Sequence, residues 1–296
     1  MSAAAANPDD PRSVLSEDIE LTRAHSSASG ERIALITGAS GGIGLAAGRA
    51  LVRAGYRVVG TSRQAAPDEV RDGVRMLRCD VTSDEDTAAT VAKVVADYGR
   101  IDLLVNNAGR GIAGAAEDSS IEQIHGLFDT NFYGLVRMTN AVLPIMRRQR
   151  SGRIVNVSSV IGFLPGPFMS YYAATKHAVE GYSESLDHEV RQHGIRVVLV
   201  EPSWTRTSFE QSLAPADRPL DVYRASRATA AQVVNEAMKI GASAETVAAT
   251  IVEAATNATP KLRYPAGRRA RNLSIMRRLV PARMFDRSFR AQMQLP

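Results

Sequence analysis

Cysteine is nearly absent. Cys79 is the only one among 296 residues. It can close no internal disulfide and build no zinc cluster, and it fits a reducing compartment. No apolar run approaches the roughly 20 residues a membrane helix needs. Residues 1–30 lack a signal-peptide core, and Asp9, Asp10, Glu17, Asp18 and Glu20 argue against an acid-poor transit peptide. A soluble, cytoplasmic protein is expected. His25, His125, His177, His188 and His193 show no metal-ligand spacing, so no metal site is expected. Ser159 has no histidine base in its motif, which speaks against a hydrolase triad. Zinc-finger, helix-turn-helix and RNA-binding signatures are missing, so nucleic acid is not an expected partner.

What remains suits one large α/β domain with a full core: 45% of residues are apolar and 23% charged. The net charge of +5 is concentrated at the C-terminus. From Lys261 onward, Arg263, Arg268, Arg269, Arg271, Arg277, Arg278, Arg283, Arg287 and Arg290 face one acid, Asp286. Such a tail fits a membrane surface, an acyl-carrier protein or nucleic acid. It equally fits a solvated, arginine-rich helix, and that plainer reading is the one expected for 271–296. Membrane contact is not.

Residues 1–30 are small, polar and aperiodic, which predicts a disordered arm. Strands and helices then alternate to about residue 270. Strands are expected at Ile33–Thr37, Arg57–Thr61, Arg75–Cys79, Ile101–Asn106, Arg153–Ser158, Ile195–Glu201 and Leu262–Tyr264. Helices are expected at Ile43–Ala54, behind a Ser83/Asp86 capping box, from Ser120 to about Gln149, and through Tyr172 to Gln192. Apolar strands alternating with helices imply a doubly wound parallel sheet, helices on both faces, with ligands beyond the strands' carboxyl ends. The stretch 203–241 interrupts the alternation and is expected to lie above that edge as a substrate loop.

Thr37-Gly38-Ala39-Ser40-Gly41-Gly42-Ile43-Gly44 joins a strand to a helix. Glycines permit a tight turn and close approach to a pyrophosphate, and the helix start supplies N–H groups and a positive dipole end. After strand two comes Thr61-Ser62-Arg63, with no carboxylate for a ribose 2′-OH. A guanidinium suits a 2′-phosphate instead, with Ser62 adding a hydrogen bond, so NADP(H) is expected over NAD(H). Asp80-Val81 follows strand three, where the carboxylate fits either an adenine amino group or a helix cap. Asn106-Asn107-Ala108-Gly109 ends strand four with small residues and strand-tying amides.

Tyr172 and Lys176 stand at i and i+4 on one helix face, with Ser159 thirteen residues upstream of the tyrosine. A nearby cation favours phenolate, which predicts a tyrosine pKa drawn down from about 10. Phe163, Leu164, Pro165, Phe168, Met169, Trp204 and Phe209 are expected to form an apolar pocket beside it, or to pack the loops.

In order and spacing these residues resemble the short-chain dehydrogenase/reductase family. The match runs from Thr37–Gly44 through Asp80-Val81, Asn106–Gly109, Asn131, Ser159, Tyr172 and Lys176 to Pro202 and Thr207, covering about residues 31–270. The resemblance implies a Rossmann-type sheet of about seven parallel strands and hydride transfer between a nicotinamide and a carbonyl or alcohol. It implies Tyr172 as general acid or base, Lys176 lowering its pKa and holding the nicotinamide ribose, and Ser159 bonding the substrate oxygen. Asn131 would interrupt a helix and bind a water beside the lysine; Thr207 would meet the carboxamide or pyrophosphate. Spacing favours Tyr172 over Tyr171 and Ser159 over Ser158. Within the family, Val200–Thr207 and Arg263-Tyr264-Pro265-Ala266-Gly267 resemble 17β-hydroxysteroid-dehydrogenase-like and retinol-dehydrogenase-like members. Two positions depart from the pattern: Ser203 replaces the usual glycine after Pro202, and Arg110 follows Gly109. The resemblance also implies a homodimer or homotetramer through the Ser120–Gln149 and Tyr172 helices. A lipophilic carbonyl or alcohol is the expected substrate; the alternatives are a 3-oxoacyl-carrier-protein reductase and a non-catalytic NADP(H) sensor.

Overall fold

The computed structural model describes residues 30–207 and 213–294. The expected arm, apart from Gly30, and Phe209 lie outside the described residues. In β1 (Arg32–Ile36), Ile33 and Leu35 face one side and Ala34 and Ile36 the other, all buried. That two-sided burial forces a strand between two helical layers.

α1 (Gly42–Arg53) returns the chain to β2 (Tyr56–Ser62). The short β3 (Val70–Arg71) precedes β4 (Val74–Arg78), and α2 (Asp84–Tyr98) leads to β5 (Leu103–Asn106) and a small strand, β6 (Gly111–Ala113). The expected long helix is three pieces: α3 (Ile121–Phe128), a π-helical turn over Asp129–Tyr133, and α4 (Gly134–Gln149). Then follow β7 (Gly152–Val157), α5 (Ser170–Val190), β8 (Ile195–Pro202), β9 (Thr205–Arg206) and β10 (Leu213–Pro215). The chain ends with α6 (Arg224–Lys239), β11 (Ala242–Ser243), α7 (Ala244–Thr256), β12 (Arg263–Ala266), α8 (Gly267–Leu279) and α9 (Ala282–Gln292).

The main sheet has the order β12-β8-β7-β5-β1-β2-β4-β3. All pairs are parallel except β3–β4. The expected strands thus form the parallel body, and β3 adds a short antiparallel edge. α1 and α7 cover one face through Ala46, Ala47, Leu51, Val247 and Ile251. α2, α4 and α5 cover the other through Val91, Val94, Met138, Val142, Met146, Leu186 and Val190. Each large aliphatic buried this way contributes about 1.5–3 kcal/mol. Connections leave β1 towards β2 on one side and return at β5 on the other, so the switch point lies beyond their carboxyl ends.

The described parts of the stretch 203–241, residues 203–207 and 213–241, hold a helix and short strands rather than a plain loop. Ala230, Val234, Ala237 and Met238 give α6 a buried stripe. β10 pairs with β6 and β11 with β9, so these described parts are tied down over the sheet's carboxyl edge. Beneath it, Asp118 accepts bonds from the N–H groups of Ala115 and Leu220 and from the Arg227 guanidinium. No helix among the described residues is long and apolar enough to cross a membrane.

Candidate active site

A cleft of about 530 Å³ opens at the switch point. One end is the glycine loop. Gly38 has φ +67°, a left-handed conformation that glycine adopts without strain. A Cβ at Gly44 would lie 2.2 Å from the Gly38 carbonyl oxygen, so the α1 backbone and the loop can touch only with glycine there. Asn107 pins the loop: its Nδ2 donates to the Thr37 and Gly38 carbonyls, each at 3.1 Å. Thr37 Oγ1 accepts from the Asn107 and Ala108 N–H groups, both at 3.0 Å.

Gly41 caps α1 without a side chain, and the helix's first turn holds no acid. Its leading N–H groups and positive dipole end are thus left for an outside acceptor, with Gly41, Gly42 and Ile43 lining the cleft. This arrangement fits a dinucleotide pyrophosphate.

At the end of β2 lie Ser62 and an exposed Arg63, and beyond β4 lies Asp80. Asp80 Oδ1 accepts from Thr82 N–H at 3.0 Å and Thr82 Oγ1 at 2.8 Å. Burial raises its pKa, but the two Thr82 donors and the Arg63 and Arg137 charges outweigh it, leaving the carboxyl below its usual range. Asp80 is therefore no helix cap. The expected capping box is half formed: Ser83 accepts from the Asp86 N–H, while Asp86 turns to the Asp80 N–H at 2.9 Å.

At the other end Tyr172 is 8% and Lys176 7% exposed. Lys176 Nζ lies 5.7 Å from the Tyr172 ring centre and donates to the Val157 carbonyl at 2.9 Å. Ser159 Oγ lies 3.4 Å from the Pro202 carbonyl and hydrogen-bonds Tyr172. The expected depression of the tyrosine does not occur. Burial pushes Tyr172 up to about 12, against the Ser159 bond, and pushes Lys176 down to about 8, against the Glu180 charge. Desolvation is the largest cause for both groups, and for Tyr172 only the Ser159 hydrogen bond works against it.

The π turn carries Asn131 to the adjoining wall. Its Oδ1 accepts from Arg110 N–H and its Nδ2 donates to the Arg110 carbonyl, both at 2.9 Å, and Nδ2 also reaches Thr175 Oγ1 at 3.1 Å. The side chain is thus committed to protein partners. Arg110 lines the cleft, and its guanidinium lies close to Gly126, where a Cβ would meet Nη2 at 2.6 Å. Sequence reasoning offered no signal for that contact.

Every expected cofactor and catalytic residue lines the cleft except Gly44 and Asn131, which shape it from behind. Of the expected apolar pocket, Met169 and Trp204 line the cleft. Phe163, Leu164 and Pro165 line a separate hollow against Phe285 and Phe289 of α9, and Phe168 packs edge-on against Tyr223. Ile161, Ala214 and Met238 line the cleft unforeseen. The last two come from the segment read as a loop.

Behind the lysine lies a buried acidic pair. Glu180 follows Lys176 by one turn of α5, and Glu201 is the next-to-last residue of β8; Arg263 on β12 reaches both, at 3.1 Å and 3.4 Å. Both Glu201 carboxylate oxygens are buried without a hydrogen-bond partner. Burial and the Glu180 charge push its pKa up to about 8, against the Arg263 and Arg278 charges.

The family profile described as short chain dehydrogenase matches residues 32–218. The chain belongs to the short-chain dehydrogenase family. It is 36% identical to retinol dehydrogenase 8 of Bos taurus over 273 residues, 85% of this chain and 86% of that protein. It is 45% identical to 3-ketodihydrosphingosine reductase of Bacteroides thetaiotaomicron over 178 residues, 60% of this chain but only 65% of that protein's length. The crystal structure of a short-chain dehydrogenase from Streptomyces avermitilis superposes with a TM-score of 0.74 at 34% identity, covering 88% of this chain and 99% of that one. The chain is thus an oxidoreductase with a Rossmann-type, NAD(P)-binding fold, similar to retinol-dehydrogenase-like members.

Proposed function

We propose that this chain is an NADP(H)-dependent oxidoreductase that interconverts a lipophilic ketone or aldehyde and its alcohol. The observation that carries the reading is the continuity of one cleft, with the glycine loop and Arg63 at one end and buried Tyr172, Ser159 and Lys176 at the other. The bound dinucleotide supplies or takes a hydride. Gly38, Ser40, Gly41, Gly42 and Ile43 cradle its pyrophosphate, with Gly44 letting the helix approach. Ser62 and Arg63 take the 2′-phosphate, Asp80 and Val81 the adenine, and Asn107, Ala108, Gly109, Pro202 and Thr207 flank the remainder.

Tyr172 holds the proton at its phenol oxygen and passes it to the substrate oxygen in reduction. With its pKa pushed up to about 12, the phenol is a proton donor at neutral pH. Ser159 Oγ hydrogen-bonds the same substrate oxygen and stabilises the charge that grows there. Lys176 orients the nicotinamide ribose. Asn131, its side chain engaged by Arg110 and Thr175, holds a water through its main chain in the π turn, a route for the proton from solvent. Met169, Trp204 and Ile161 supply an apolar wall, in keeping with relatives named for 3-ketodihydrosphingosine and retinol. Ile121 and Tyr133, 60% and 51% exposed on the α3–α4 stretch, support a second copy of the chain packed there, which light scattering tests.

The deciding experiment follows NADPH and NADH oxidation by absorbance against steroid, retinoid, long-chain keto and acyl-thioester substrates. Turnover with NADPH well above NADH supports the reading. Preference for acyl thioesters would move it to an acyl-carrier-protein reductase, and tight binding without turnover to a sensor.

A further inference from the structure

The last two helices present an outer face that the fold does not explain. Their inner faces are accounted for: Ala270 and Leu273 of α8 and Phe285 and Phe289 of α9 pack on Val160, Ile161, Phe163 and Leu164. A helix that buries Ala270 and Leu273 must turn Arg268, Arg271, Ile275 and Leu279 outward, because these recur at helical spacing on the opposite side, with Arg278 on the flank towards Glu201. Ile275 is 50% and Leu279 77% exposed, with Met276 at 41%. On α9, Arg283, Arg287 and Arg290 share the outward face, and Met284 beside them is 65% exposed.

A helix that merely meets water places its branched aliphatics inward and its charges outward. Here aliphatics and guanidiniums stand together on the outside. The sequence of α8 and α9 holds eight arginines and one acid, Asp286; Arg277 turns inward to the Phe163 carbonyl and the Phe285 ring, and Arg268, Arg271, Arg283 and Arg287 are exposed. Among the described residues, no carboxylate forms an ion pair with Arg268, Arg271, Arg283 or Arg287. A cationic face studded with isolated aliphatics matches the boundary between anionic headgroups and acyl chains. A second copy of the chain is a poor occupant, since two such faces repel. An acidic soluble protein would satisfy the arginines but gives no reason for Ile275 and Leu279 to stand among them.

We propose that the outer face of α8 and α9 docks the protein on an anionic lipid surface, with Ile275, Leu279 and Met284 entering the headgroup region and the arginines meeting the phosphates. The location gives the docking a use. α9 packs on Phe163 and Leu164, two and three residues beyond Ile161 of the cleft wall, so the substrate end of the site stands against the docked helices. The proposal does not rest on the choice of substrate, because vesicle binding is read without turnover.

The test uses the whole chain in vesicle flotation, comparing phosphatidylcholine alone with phosphatidylcholine containing phosphatidylglycerol. Binding is expected only to the anionic vesicles, weakening as salt is raised. Ile275→Ser with Leu279→Ser, and separately Arg268→Glu with Arg271→Glu, should each lower the partition coefficient by at least about tenfold. Turnover of a water-soluble carbonyl and the melting temperature should be unchanged. A polarity-sensitive dye on Leu279→Cys should shift to the blue on anionic vesicles; Cys79, 2% exposed, does not compete. Absence of flotation with anionic vesicles overturns the proposal. So does binding that survives Ile275→Ser with Leu279→Ser and leaves the dye unshifted, since that is adsorption by charge alone. Capture of an acidic acyl-carrier protein without vesicle binding would assign the face to a protein partner instead.

Discussion

Arg263 Nε lies 3.1 Å from Glu180 Oε2, although 83 residues separate the two in the chain. The same nitrogen lies 3.4 Å from Glu201, so one guanidinium serves two buried carboxyls. Two such groups cannot both ionise cheaply beside one cation. Glu201, raised from 4.5 to about 8, keeps its proton in the folded cofactor-free chain while the unfolded chain releases it. A raised folded pKa stabilises at low pH, and the contribution is lost as pH rises through about 8. Glu201→Gln removes that loss. The variant's melting temperature should therefore gain on the wild type from about pH 5 to about pH 9. A difference that stays constant with pH would show that Glu201 does not titrate in this window.

Glu180 acts on Lys176 through its charge. Burial pushes the lysine down to about 8, and the Glu180 carboxylate is what opposes the fall. Glu180→Gln should depress Lys176 further. If turnover needs the ammonium form, the alkaline limb of kcat/KM against pH moves to lower pH in the variant. A limb that stays in place would disconnect Glu180 from the lysine.

Tyr172→Phe deletes the proton donor and little else, because the ring keeps its apolar contacts. Carbonyl reduction should fall about 10²–10⁴-fold, while dinucleotide affinity by fluorescence titration stays near wild type. Ser159→Ala should cost about 10²–10³-fold, with binding likewise retained. Equal loss of affinity in both variants would make them packing residues.

The tyrosine also shows where sequence reading stops. Spacing placed Tyr172 and Lys176 on one helix face, which the fold keeps. Spacing says nothing of burial, and burial reverses the expected pKa shift. The parallel strands were legible because each is apolar on both faces. β3 was not, since two residues paired only at an edge leave no periodic trace. α6 leaves little trace in the sequence because its buried stripe uses Ala230, Val234 and Ala237, whose small side chains barely stand out in an alanine-rich stretch. Phe163 and Leu164 look like pocket residues in the sequence. They pack against α9, a contact more than a hundred residues away that no local pattern encodes.

Gly44 tests the loop without touching charge. A Cβ there would meet the Gly38 carbonyl oxygen at 2.2 Å and Asn107 Nδ2 at 2.6 Å. The first contact is backbone and cannot swing away. Gly44→Ala should cost about 1–3 kcal/mol in thermal or urea unfolding and weaken dinucleotide binding more than substrate binding. Unchanged stability would mean that α1 can shift as a body.

Arg63 and Arg71 separate a cofactor-reading cation from a structural one. Arg71 is already committed: it pairs with Glu69 and donates to the Ser40 carbonyl at 2.8 Å. Arg63 is exposed at the end of β2 and makes no ion pair among the described residues, its charge felt by Asp80 across the cleft. Removing a charge-assisted contact to a phosphate costs about 1.5–3 kcal/mol, or roughly 10–100-fold. Arg63→Asp should therefore lower kcat/KM for NADPH by about that factor and raise it for NADH, since the new carboxylate can accept from the ribose 2′-OH. Arg71→Ala should lower both together through the loosened loop, leaving their ratio near wild type. If Arg71→Ala changes the ratio and Arg63→Asp does not, the 2′-phosphate is read from β3, and the assignment made from the end of β2 fails.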